Sequence, residues 1–204
     1  MGADIDGAIE SRSSDGVWRF EVALWTLGPG RDTNAFQCLF GTGRGEVGTD
    51  RPFFARRGLP DDVSDPVREG SAFGDCEHSH TYATWAEVAA VDWDAPITDG
   101  PAWLWAGEWR SGEDGDLVLH DLAWVTPAIN EAADDAFGGD FDSPAEWPPG
   151  GEVVLDGVVY RPVVLTARMF VSPDKENWVA LWTAMRDLAA EHGDENVRLV
   201  AWFG

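Results

Sequence analysis

Three clusters in the chain carry residue types that can do chemistry. The first is the opening MGADIDGAIE, where Asp4, Asp6 and Glu10 fall at i, i+2 and i+6. On an extended strand that spacing places all three carboxylates on one face. Carboxylates so arranged suit Mg²⁺ or Mn²⁺, which take oxygen ligands and keep several waters. The alternative is a solvated strand face opposite Ile5 and Ile9. The second cluster is CEHSHTY, in which His78 and His80 flank Ser79. If the segment is extended, both imidazoles point one way and can hold Zn²⁺, Mn²⁺ or Fe²⁺ or act as a general acid–base pair. Cys76 and Glu77 widen that ligand set, and the bland alternative is a loop whose histidines bond backbone groups. The third is ARRGLPDD. Arg56 and Arg57 can grip a phosphate or carboxylate bidentately, or they can pair with Asp61 or Asp62.

Together these residues define an expected pocket. Asp4, Asp6, His78 and His80 are the metal candidates, Arg56, Arg57 and Glu10 the ligand-binding candidates, and His78, His80 and Asp4 the catalytic ones. The ligand expected is small and anionic, nucleotide-like in chemistry. The cofactor is a divalent metal (Mg, Mn or Zn), and the reaction class is metal-assisted hydrolysis.

A fourth pattern competes with these. WLWAGEW places Trp103, Trp105 and Trp109 at alternate spacing, which invites stacking or sugar binding, although core packing is the ordinary fate of an indole.

The elements that must position these groups read as follows. IDGAIESRSSDGVWRFEVALW gives two strands around an SSDG turn. TNAFQCLFG is a short helix ended by Gly41. Residues 41–75, rich in Gly, Pro and Arg, form an irregular loop with one helical turn at DDVSDPVRE. Thr84 and Glu87 form a capping box, so a helix starts there with Trp85, Val88 and Ala89 facing inward. Thr126-Pro127 starts another. EVVLDGVVY is a hairpin around Asp156-Gly157. In SPDKENWVALWTAMRDLAAEHG the apolar positions Trp178, Leu181, Trp182, Met185 and Leu188 recur at helical spacing, with Ser172 or Asp174 as the cap and Gly193 as the end. NVRLVAWF is an apolar final strand, expected at the centre of a sheet beside the first. The pattern predicts an α+β fold: a single domain over 1–204, a mainly antiparallel sheet of about five to seven strands, and the long C-terminal helix packed on one face. Residues 94–150 read as a Trp-rich, acidic insertion.

Composition bounds the partners. The chain has 204 residues, 37 acidic against 14 basic, and a net charge of −23. It repels bare nucleic acid and anionic membrane, so no direct nucleic-acid binding and no membrane association are expected. That charge also fits a non-enzymatic acidic binding protein (an anti-defence, immunity or DNA-mimic protein) that occupies a basic partner, or adaptation to salt. Two cysteines and the absence of an apolar leader predict a cytoplasmic protein.

Several of these segments together resemble a group of uncharacterised proteins of bacteriophages and high-GC bacteria. MGADIDGAIE is similar to their MGCDIH opening, ARRGLPDDVS to RGLPxDVS, EHSHTYATWAEV to HSHSWLTLxEL, and VRLVAWFG to VRIVFWFDN; RDTNAFQCLFG is a weaker match to RNYxLFxxLAG. The resemblance implies that Asp4, Glu10, Arg57, His78 and His80 occupy recurrent polar positions in a small phage or prophage accessory protein. Ala3 and Asp6 stand where that pattern has Cys and His, which removes a thiol nucleophile and leaves either a hard-cation ligand or a non-catalytic copy.

Overall fold

The computed structural model describes residues 5–41, 47, 51–72 and 78–203. In chain order the elements are β1 (Ile5–Arg12), β2 (Trp18–Ala23), α1 (Thr33–Phe40), α2 (Asp65–Gly70), β3 (His78–Thr84), α3 (Trp85–Ala89), β4 (Pro96–Ser111), β5 (Leu117–Trp124), α4 (Pro127–Phe137), β6 (Val153–Leu155), β7 (Val158–Thr166), α5 (Glu176–His192) and β8 (Val197–Phe203). The fold is α+β. The strands divide between two four-stranded sheets, ordered β2-β1-β8-β3 and β5-β4-β7-β6, rather than joining in one sheet of five to seven. Contacts divide the chain into two compact units. The first comprises residues 1–45, 49–95 and 166–204, and the second residues 46–48 and 96–165. The stretch expected as an insertion, 94–150, falls largely in the second unit.

In the first unit β1 and β8 are antiparallel neighbours at the centre of the sheet. Every residue of β8 is buried, as its apolar sequence requires. The register sorts the side chains by face. Asp6, Ala8 and Glu10 lie opposite Trp202, Val200 and Arg198, and Tyr82 and Thr84 lie opposite Val200 and Arg198 from the other side. Leu59 and Val63, from the segment that leads into α2, and Val67 of α2 cover this face over Ala8, Val200 and Trp202. Leu199, Ala201 and Phe203 face the opposite way. There Phe36 of α1 meets Phe203 edge-on at 5.5 Å and Trp178 of α5 at 5.9 Å.

Helix α5 buries the stripe Trp178, Leu181, Trp182, Met185 and Ala189. Its N-cap is Lys175, with no side-chain cap, in place of the expected Ser172 or Asp174; Asp174 instead pairs with Arg168. Asp32 caps α1 by accepting from the Ala35 N–H, and Gly41 ends that helix at φ 64°. The Thr84–Glu87 capping box starts α3 as the sequence predicts, but only Val88 is buried there; Trp85 is half-buried and Ala89 exposed.

In the second unit the hairpin turn Asp156-Gly157 takes φ 52° and 80°, the left-handed pair of a type I′ turn. Helix α4, capped by Thr126 on the Ile129 N–H, packs Ile129 and Ala133 with Trp147 and Val153; Ala123, Leu155 and Tyr160 border the cluster. This gives the second sheet one covered face.

Candidate functional site

The first strand does not present a row of ligands. Asp4 lies outside the described residues. Asp6 and Glu10 share a face as expected, but four strand residues at about 3.3 Å each separate them by about 13 Å, too far to share an ion. Their surroundings also differ. Asp6 is half-buried and makes no hydrogen bond or ion pair among the described residues.

Glu10 is fully buried, which corrects its reading as a ligand-binding residue or a solvated one. One of its oxygens, Oε2, accepts from Arg198 Nε at 2.8 Å, and Oε1 accepts from the Ser64 N–H at 2.7 Å. Arg198, 3% exposed, also donates through Nη1 to Asp62 Oδ1 at 2.8 Å. Its guanidinium carbon lies 3.8 Å from the Trp18 ring centroid, and the Trp18 indole N–H donates to Asp62 Oδ2 at 3.0 Å. Burial pushes Asp62 up, but Arg198 and the Trp18 N–H outweigh it and hold the carboxyl below its ordinary value. The cluster fixes the segment before α2 onto the sheet, and both carboxylates are satisfied inside it. Sequence reading passed over Arg198. Its signal was a single arginine inside the apolar run VRLVAWF, because a charge in a buried strand requires a buried partner.

The histidines do not point one way. A bulge interrupts the β3–β8 register between His78 and Thr81, and Ser79 takes φ 59°. His78 therefore stacks on Phe203 at 5.8 Å while His80 stacks on Trp202 at 6.1 Å. Phe203 and Trp202 are adjacent strand residues, so the two imidazoles lie on opposite faces of the sheet. His78 Nδ1 is 3.0 Å from Ser79 Oγ, and His80 Nε2 is 3.2 Å from the Ser71 carbonyl. Cys76 and Glu77 lie outside the described residues. Among the described residues no three His, Cys, Asp or Glu side chains group closely enough to hold a metal ion.

The two arginines part company. Arg56 donates to Ser79 Oγ at 2.9 Å. Arg57 forms a bidentate pair with Glu87, not with Asp61 or Asp62, one bond measuring 2.9 Å, and its guanidinium sits 5.1 Å from the Tyr82 ring centroid. Burial raises the Glu87 carboxyl, but bonds from Arg57 and the Thr84 N–H hold it below its ordinary value. Cys38 is fully buried, and burial, reinforced by Asp32, pushes its thiol up to about 12. It is no nucleophile at neutral pH.

Trp103 and Trp124 are the exposed tryptophans of the second unit. On β4 the residues Trp103, Trp105 and Trp109 alternate on one face as predicted; Trp105 and Trp109 are half-buried and Trp103 is exposed. Trp103 is 54% exposed, and Trp124, opposite Trp105 on β5, is 40% exposed. The Trp105 and Trp124 rings meet edge-on at 5.3 Å. Gly107 lies between Trp105 and Trp109; a Cβ there would sit 2.8 Å from both Leu119 Cδ1 and Trp109 Nε1, which places Leu119 on the same face. The neighbouring Ala123 packs towards α4, so Trp124 points to the uncovered side. The result is an aromatic face: Trp103, Trp105, Trp109, Leu119 and Trp124.

Its electrostatic setting is one-sided. Residues 96–165 contain fourteen carboxylates against Arg110 and Arg161. Arg110 pairs with Glu108 and Arg161 with Glu152, and Arg161 also lies over Trp109 at 5.1 Å. The turn at the tip of the β4–β5 hairpin carries Glu113, Asp114 and Asp116, all exposed. Among the described residues no helix is long and apolar enough to cross a membrane. Comparisons with family models, with curated proteins and with solved structures give no match to this chain.

Proposed function

We propose that the protein is a non-enzymatic acidic binding protein that occupies a basic partner through the tryptophan face of its second unit. The observation that carries this reading is the exposed row of Trp103, Leu119 and Trp124, set in a segment with fourteen carboxylates and two paired arginines. Exposed aromatic groups of this density are the usual anchors of a protein interface, because they bury large area at small entropic cost. The surrounding carboxylates accelerate encounter with a positively charged partner and exclude nucleic acid. The partner's matching surface has Lys and Arg around an apolar patch. Two of the residues expected to bind a small anionic ligand support this reading too, because Glu10 and Arg57 are satisfied by Arg198 and Glu87.

A synthetic amphipathic peptide of Lys and Leu tests it, with an all-Lys peptide of equal charge beside it. The Lys-Leu peptide binds the wild-type chain more tightly than the all-Lys peptide, and its affinity falls as salt rises. The double variant Trp103→Ala/Trp124→Ala loses about tenfold or more in affinity for Lys-Leu, as hot-spot residues do, at unchanged melting temperature. Equal affinity of the two peptides, or full retention of binding by the double variant, sinks the reading.

A further inference from the structure

The carboxylate of Asp6, freed from the expected metal cluster, lies in a different chemical setting within the first unit. It lines an open groove of about 270 Å³ between the sheet and α2, together with Phe20, Trp25, Trp202, Pro66 and Val67. Three aromatic residues and one carboxylate thus share one small depression. No Arg, Lys or His lines it among the described residues, and Asp6 has no hydrogen-bond or ion-pair partner among them. Its aromatic wall has a buried and an open part. Trp202 is 5% exposed, stacked by His80 and packed against Gly70, whereas Trp25 is 73% exposed at the mouth.

We propose that this groove is a binding site for an organic cation with an alkylated ammonium head group. The chemistry of the lining selects that class. Aromatic faces carry a negative quadrupole that attracts a diffuse cation, and the alkyl groups on its nitrogen bury apolar area against Phe20, Pro66 and Val67. A carboxylate in the same wall adds charge complementarity; Arg31 lines the adjoining depression that Asp6 and Trp25 also border, but not this groove. A small inorganic cation is poorly served, because one carboxylate cannot replace its hydration shell. An anion in the groove meets the Asp6 carboxylate. The groove is in the first unit and the tryptophan face in the second, so the two proposals stand or fall separately.

The probe is choline, titrated by calorimetry at fixed ionic strength, with 3,3-dimethylbutan-1-ol as its uncharged carbon isostere. Choline binds at one site, and the isostere binds about tenfold more weakly or worse. Asp6→Asn and Trp25→Ala each weaken choline by a similar factor. Asp194→Asn, an exposed acid elsewhere in the first unit, leaves the affinity unchanged and so separates the groove from the general attraction of a chain with net charge −23. Trp25 is exposed enough that its truncation leaves the fold intact, which keeps the test decisive should Asp6→Asn unfold. The proposal is overturned if choline does not bind, if the isostere binds equally well, if Trp25→Ala retains wild-type affinity, or if Asp194→Asn loses as much as Asp6→Asn.

Discussion

Glu10 and Arg198 face each other as a register pair across the two central strands of the first sheet, 0% and 3% exposed, with Arg198 Nε 2.8 Å from Glu10 Oε2. A buried ion pair of this kind contributes little net stability relative to well-packed apolar residues, but breaking it is costly, because Glu10 without Arg198 is left charged and dry and Arg198 without Glu10 keeps only Asp62. Glu10→Ala or Arg198→Ala therefore destabilises the fold by about 3–5 kcal/mol. The double variant Glu10→Leu/Arg198→Met recovers most of that loss. Urea denaturation of the three variants checks this, and a double variant less stable than either single one would contradict it.

Acid acts on the same region. Asp62 and Glu87 titrate below their ordinary values of 3.8 and 4.5 in the folded chain. As pH falls the unfolded chain therefore takes up these protons first. The stabilisation is complete above about pH 5 and is lost as pH drops through the folded-state values. Arg198→Met removes the arginine that lowers Asp62 and leaves the Trp18 N–H, and Arg57→Met removes the arginine that lowers Glu87 and leaves the Thr84 N–H. Each variant should lose stability less steeply than wild type between about pH 5 and pH 2. Melting temperatures measured across that range settle the matter, and parallel curves for wild type and both variants would refute it.

How much of this was legible in the sequence depended on whether the signal was local. Helix α5 announces itself through Trp178, Leu181, Trp182 and Met185 because helical periodicity and burial agree. The turn at Asp156-Gly157 and the capping box at Thr84–Glu87 are equally local, and both form as predicted. The central placement of β1 and β8 follows from an apolar terminal strand that must be covered on both edges. The division of the strands between two sheets was not legible, because sheet membership is decided by pairings far apart in sequence. The same limit governs the site. Alternation correctly put Asp6 and Glu10 on one face, but only the fold brings Ser64 and Arg198 to Glu10 and leaves Asp6 among Phe20, Trp25 and Trp202. The tryptophans of β4 share one face as alternation predicts, but Trp103 is exposed while Trp105 and Trp109 are half-buried, since alternation names a face and not what covers it.

The histidine pair went astray for a reason that one substitution can test. Spacing of i, i+2 implies a shared face only in a regular strand, and Ser79 breaks the strand by adopting φ 59°, a conformation that costs a non-glycine residue about 1–2 kcal/mol. Its hydroxyl offsets part of that cost, accepting from Arg56 at 2.9 Å and lying 3.0 Å from His78 Nδ1. Ser79→Gly removes both the backbone strain and the hydroxyl contacts, so its stability stays within about 1 kcal/mol of wild type. Ser79→Val retains the forbidden φ, adds β-branching and loses the hydroxyl, so it costs about 1–3 kcal/mol. It also favours closing the bulge, which would turn His80 away from Trp202. Thermal melts measure the first effect, and the ring-current shift of the His80 imidazole protons over Trp202 measures the second. A Ser79→Val chain as stable as Ser79→Gly, with the His80 shift unchanged, would show that the left-handed φ of Ser79 carries no such cost.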